Sequence, residues 1–307
     1  MRKPELTDRD RCLLELLARG CVLRTDQAAL LYGVGRYHYD RLAALQKRGL
    51  IFRRGRYIEI AAKGLRALGI PGRRLDVRQD WQREHRARVV DVYFALSGWD
   101  FRFALEHKRQ MQGKVNLNAC FDAVVSKNGR SYAFYLLDRE PRKTTLTALK
   151  KDFANLGSFA GAVMFCRYPE TLNALEAPDF LKELQIKELF ALPYEQGIGI
   201  FNNIDALRAR VRALFPGFTP CARPFADLEK GDTFVTVLIT NDLIKRRLLH
   251  DYVNHVRDKE ARRNVIVCLE SQKARFAEPF PGVEVVTVPD PVLQKNSEKG
   301  DVACAQA

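Results

Sequence analysis

Hydrophobic positions recur along residues 7–50 with the spacing of three short helices. In TDRDRCLLELLARG, Leu13, Leu14, Leu16 and Leu17 fall on one face, acidic residues fill the first turn and Gly20 closes the segment. Thr7 stands where a capping hydroxyl belongs. A second helix is expected over TDQAALLYG, with Thr25 as its cap and Ala28, Leu30 and Leu31 turned inward. Gly33-Val34-Gly35 then breaks the chain. RYHYDRLAALQKRG predicts a third helix, with Leu42 and Leu45 at core spacing and Gly49 at its end. The period then changes. LIFRRGRYIEI predicts two strands joined by a tight turn at Arg54-Gly55, and AAKGLRAL a short closing helix. Three helices followed by a basic hairpin are the order of a winged helix-turn-helix, whose last helix enters the DNA major groove while the hairpin touches the backbone. Residues 69–80, GIPGRRLDVRQD, have no apolar periodicity and read as a linker.

Beyond it the pattern alternates between helix and strand. A helix is expected from Trp81 to Leu96, and FRFALEHK as a strand ending near Glu106. NACFDAVVS and SYAFYLLDRE are two more strands around an Asn128-Gly129 hairpin turn. Thr147 to Leu156 is helical and GAVMFCRY is a fourth strand. The order αβββαβ is that of the restriction-endonuclease-like core. Glu106, Asp122, Asp138 and Glu140 then fall in or at the ends of strands, where such a nuclease converges carboxylates on Mg²⁺. The usual acid, any residue, Lys triplet is replaced by Asp138-Arg139-Glu140, so the water-positioning Lys is missing unless Lys143 supplies it. The domain reads as degenerate, its acids kept as strand-end residues. His85 is expected to make a structural hydrogen bond, and His38 to meet either DNA or the helix core.

In the last third, Glu170–Leu184 and Ile204–Leu214 read as helices, and KELFALP, TFVTVLIT, NVIVCLES and GVEVVTV as strands. Asn241 is placed as the cap of DLIKRRLLHDYVNHVRDK. The Thr240-Asn241-Asp242 loop has no glycine, so a phosphate-cradling turn is not expected there. Lys245, Arg246 and Arg247 read as a solvated helix face. The organisation expected is an α/β multi-domain chain: a winged helix over 1–72, a nuclease-like α/β domain over 80–200, an α/β region over 201–292 and a disordered tail over 293–307.

Charge sharpens the first of these expectations. Of a net charge of +14, residues 1–74 hold 17 Lys/Arg against 7 Asp/Glu, so the cationic surplus is concentrated in the first quarter of the chain. Clustering of this kind is the footprint of a phosphate-binding module, although an acidic protein partner would select it too. Arg36, Tyr37, Arg41, Lys47 and Arg48 fall on the outward face of the third helix, and Arg53, Arg54 and Arg56 on the hairpin tip. The first three are placed to reach base edges, and the hairpin arginines to reach phosphates or the minor groove. The seven cysteines are widely spaced, several inside apolar runs, and no CxxC or HxxxH pair occurs. This suits reduced thiols in a cytoplasmic protein and excludes a disulfide scaffold. No apolar run has the length of a membrane span, and no apolar stretch follows the basic start as in a secretory signal.

LTDRDRCLLELLARG, the basic winged helix, Arg83-Glu84-His85, Glu106, Phe121-Asp122-Ala123 and LLDRE together resemble the replication-relaxation family, over roughly residues 5–156. The family's Glu-x-Asp at the third strand falls on Leu136 and Asp138, so its Glu is absent here. The resemblance implies a DNA-binding regulator or accessory factor of a plasmid, phage or integrative element. Its partners would be double-stranded DNA and other mobile-element proteins, with no cofactor and no membrane. A palindromic DNA site would imply a homodimer. The alternatives are a Mg²⁺-dependent endonuclease using Asp122 and Asp138, and a protein-docking scaffold.

Overall fold

The computed structural model describes residues 6–33, 35–71, 74–111, 120–139, 142–182, 184–260 and 262–292. They form a mixed α/β protein with three sheets, divided into two compact units. The first takes in the described residues of 1–117 and 121–125, the second those of 118–120 and 126–294. Among the described residues, no helix is long and apolar enough to cross a membrane. The expected tail over 293–307 lies outside them.

In the first unit, α1 (Asp8–Ala18) starts at a capping box: the Asp10 amide donates to Thr7 Oγ1 and the Thr7 amide to Asp10 Oδ2. Strand β1 (Leu23–Arg24) leads into α2 (Thr25–Tyr32), then α3 (Tyr37–Lys47), β2 (Ile51–Arg54), β3 (Tyr57–Ile60) and α4 (Ala62–Ala67). Thr25 is not the cap expected. Its amide and hydroxyl donate to the Arg56 carbonyl, so it is already the first helical residue, and the Arg24 amide is satisfied by Gln27 Oε1. The small antiparallel sheet has the order β1-β3-β2, with Ile51 opposite Ile60 and Arg54 opposite Tyr57. Leu13, Leu14, Leu17, Ala28, Leu42, Leu45 and Ile58 are fully or almost fully buried, so the helices close on one core with the sheet. Burial of a leucine of this kind is worth about 1.5–3 kcal/mol.

Residues 74–80, read as linker, are tied down by Arg83 of α5 (Asp80–Ala95). Its buried guanidinium donates to the Val77 carbonyl at 2.6 Å and to Glu59 at 2.7 Å, and it pairs with Asp80 at 2.9 Å. After α5 come β4 (Asp100–Phe103) and α6 (Ala104–Gln110). The expected strand over FRFALEHK is therefore half helix, and Glu106 lies in the first turn of α6. The alternation of Phe101 and Phe103 lasts only one period, and Ala104-Leu105-Glu106 are strong helix formers. A helix thus stands between the first two strands of the expected αβββαβ order.

Strand β5 (Ala123–Lys127) follows, with Asp122 just before it, and Asn128-Gly129, both at positive φ, turn into β6 (Arg130–Leu137). The sheet order is β4-β5-β6-β7-β8. Its part in the second unit continues through α7 (Lys143–Phe153), β7 (Gly161–Cys166), α8 (Pro169–Glu176), α9 (Pro178–Leu181) and β8 (Leu189–Pro193), with β6, β7 and β8 parallel. Helices α10 (Tyr194–Asn202) and α11 (Ile204–Leu214) lead to the third sheet. That sheet is built from β9 (Thr219–Pro220), β10 (Leu228–Lys230), β11 (Thr233–Val237), β12 (Arg263–Leu269) and β13 (Glu284–Val288), ordered β13-β12-β11-β10-β9, with β11, β12 and β13 parallel. Helices α12 (Leu243–His255), α13 (Arg257–Glu260) and α14 (Lys273–Ala277) belong to its connections.

The cap of α12 is Asp242, not Asn241. Asp242 Oδ1 accepts from the Ile244 and Lys245 amides and, across to β8, from Leu189. Asn241 sits at φ 46 with its side-chain amide donating to Glu176 and the Ala191 carbonyl, which leaves it no capping role.

Candidate functional site

The sequence places its strongest functional signal on α3 and the β2–β3 hairpin. Leu42 and Leu45 turn inward, which leaves Arg36, Tyr37, Tyr39 and Lys47 exposed along the outer side of α3, with Arg48 half-buried at its C-cap. Tyr37 and Tyr39 are 48% and 47% exposed, a costly use of aromatic surface unless something covers it. His38 is buried, with Nδ1 3.1 Å from the Gly35 carbonyl, so it belongs to the start of the helix.

Arg41 departs from the expectation. Its guanidinium folds back onto α1 and pairs with Asp10, a carboxylate with no exposed surface. Burial pushes the Asp10 carboxyl up, and the bonds from Arg41, the Thr7 amide and hydroxyl and the Tyr32 hydroxyl more than offset it, holding it below the ordinary carboxylate range. Arg41 is thus a clamp between α1 and α3, not an outward group. Spacing along α3 places it on the outer side, but the long stem lets the charged head reach a buried partner 31 residues away.

On the hairpin, Arg54 and Arg56 are exposed and Arg53 half-buried. Arg56 lies 2.9 Å from Glu84 of α5, which also accepts from Tyr57 at 2.9 Å and pairs with Arg88 at 3.0 Å. Burial raises the Glu84 carboxyl, and these partners outweigh it and leave it lowered. Arg54 lies 3.9 Å from Glu59. The tip arginines Arg54 and Arg56 thus stay exposed while each stands near a carboxylate. Two further exposed groups were not singled out from sequence. Tyr39 is exposed on α3, with its ring 4.0 Å from that of His38, and Phe52 alternates outward with Arg54 on β2, with the Arg74 guanidinium 5.1 Å from its ring. The period of two in IFRR was the available signal for Phe52.

The acidic candidates are placed differently. Glu106 is engaged by Arg19 at 2.8 Å, and Arg19 also donates to the Phe101 carbonyl. Asp122 Oδ1 accepts from His85 Nε2 at 2.7 Å, which gives His85 the structural bond expected of it. Asp138 is buried at the end of β6, and Glu140 lies outside the described residues. Among the described residues, no three or more His, Cys, Asp or Glu side chains are grouped to hold a metal ion.

Compared with family models, curated proteins and solved structures, the chain matches none.

Proposed function

We propose that this chain binds duplex DNA through residues 7–60 acting as a winged helix, with α3 in the major groove and the β2–β3 hairpin as the wing. The observation that carries the reading is the two-sided character of α3. Its leucines are buried, while its outward side adjoins a hairpin whose tip keeps Arg54 and Arg56 exposed. Among the described residues, Arg36, Lys47 and Arg53 form no ion pair with a carboxylate, so their charge is available to phosphate. Arg36, Tyr37 and Tyr39, at the N-terminal end of α3, supply base-edge contacts. Lys47, Arg48, Arg53, Arg54 and Arg56 supply backbone contacts. The family resemblance assigns the binding to regulation or upkeep of a mobile genetic element.

The test is fluorescence anisotropy of the full chain on a duplex selected from a random pool, titrated across ionic strength. Affinity is expected to fall linearly with the logarithm of salt concentration, as counterion release requires. Tyr37→Ala is expected to weaken the selected duplex more than a scrambled one. Binding that ignores salt, or that survives the combined loss of Arg36, Lys47 and Arg54, would overturn the proposal.

A further inference from the structure

Within the second unit, a groove of about 580 Å³ opens between α9, one side of α12 and Pro279-Phe280. Its α12 wall is formed by Leu243, Arg246, Arg247, His250 and Asp251, the i, i+3, i+4, i+7, i+8 stripe of a single helix face. Leu249, Tyr252 and Val253 of the same helix pack into the apolar core with Phe234, Phe276 and Phe280. The stripe beside the groove is thus polar and cationic, with a fully apolar foundation behind it. Its volume lies within the roughly 300–1,000 Å³ of small-molecule sites.

The floor of the groove is a fixed charge network. Glu176 at the end of α8 is 3.0 Å from Arg246 and 2.9 Å from Arg275, and it accepts from Asn241 at 2.9 Å. Burial raises the Glu176 carboxyl and the two arginines and Asn241 outweigh this, leaving it lowered and ionised. The groove is lined by carboxylates of Glu176, Asp179 and Asp251 and by the cations Lys182, Arg246 and Arg247, so both signs face it. Arg246 Nη1 is itself buried and stands 3.0 Å from Glu176. Arg247 donates one Nη1 proton to the Leu181 carbonyl, and among the described residues neither it nor Lys182 pairs with a carboxylate. Asp179 and Asp251, on the rim, form no ion pair with a lysine or arginine among the described residues.

From this arrangement we infer that the groove binds a nucleoside phosphate. A simple anion would be repelled by the rim carboxylates. A ribose phosphate uses both signs: phosphate oxygens accept from Arg247 and Lys182, and ribose hydroxyls donate to Asp179 or Asp251. Exposed Pro178, Pro279 and the His250 imidazole give the base an apolar and aromatic surface. None of its lining residues belongs to the proposed DNA-binding surface, and the inference does not rest on that proposal.

The test is calorimetric titration of the full chain with AMP, ATP, adenosine and inorganic phosphate at constant ionic strength. AMP or ATP is expected to bind saturably at a single site, at least about tenfold more tightly than adenosine or phosphate alone. Arg247→Ala and Lys182→Ala are each expected to weaken that binding by about tenfold, Lys182→Ala with the melting temperature of the unliganded protein unchanged, and Arg54→Ala to leave it intact. Phosphate binding as tightly as AMP would overturn the nucleoside assignment. Absence of nucleotide binding at millimolar concentration would overturn the proposal, as would binding lost in Arg54→Ala but kept in Arg247→Ala.

Discussion

Removing Arg41 tests whether its guanidinium serves the core or the DNA. Arg41→Ala leaves Asp10 without exposed surface and without its cationic partner, although the Thr7 amide and Tyr32 hydroxyl still donate to it. Removing one member of a buried ion pair costs about 3–5 kcal/mol. The surviving hydrogen bonds and protonation of Asp10 reduce this, so a loss of about 2–4 kcal/mol is expected at pH 7. An outward-facing arginine would cost about 0.5 kcal/mol or less. The pH dependence separates the two cases further. The lowered Asp10 carboxyl contributes stability that is present above its unfolded value of 3.8 and lost as pH falls through the still lower folded value. Without Arg41, burial is opposed only by the Thr7 and Tyr32 bonds and the carboxyl rises, so the penalty of the variant shrinks as pH falls toward 4. Urea unfolding of both proteins at pH 7 and pH 4 measures this, and the double variant Asp10→Asn/Arg41→Met should recover much of the loss. A loss below about 0.5 kcal/mol at pH 7, joined to weaker binding of the selected duplex, would refute the clamp and return Arg41 to the DNA face.

Arg54→Ala should weaken selected and scrambled duplexes about equally and make the salt slope shallower by roughly one unit, read by anisotropy. Burial pushes the Asp242 carboxyl up to about 6, so its ionisation lowers stability progressively from near pH 4 to pH 6 and the full cost stands above that. Asp242→Asn keeps an acceptor for the three amides and should raise stability by about 1–3 kcal/mol at pH 7 while flattening the profile over that window, measured by thermal unfolding across pH. Glu176→Ala strands Arg246 and Arg275 and should cost about 3–5 kcal/mol. Chemical denaturation that shows no loss would mean those arginines are fully solvated.

Elements whose signal is local were legible in the sequence. The Thr7 box, the leucines of α1, the Asn128-Gly129 turn and the apolar runs of β7, β11 and β12 each declare themselves within ten residues or so of chain. Helix α10 was missed because Gly197 and Gly199 lower its propensity; Gly197 is there because a Cβ would meet the Phe165 ring at 2.7 Å. Strands β9 and β10 are too short and polar to alternate. The outward side of α3 was readable as a whole, yet the fate of Arg41 was not, since its partner lies on another helix. The groove was invisible for the same reason. Its walls come from residues 176–182, 243–251 and 279–280, and α12 read from sequence alone shows only a charged helix face.

The parallel pairing of β12 with β13 also bears on how the chain is made. β12 is apolar along nearly its whole length and buried, and its outer neighbour, β13, is the last strand among the described residues. During synthesis from the N-terminus, β11 and β12 emerge before β13, so NVIVCL stands for a time as an unpaired edge of high β-propensity. A ribosome halted between residues 270 and 284 leaves that edge open to a second nascent copy. Truncation products ending there should therefore aggregate, a difference from the full chain that light scattering would measure.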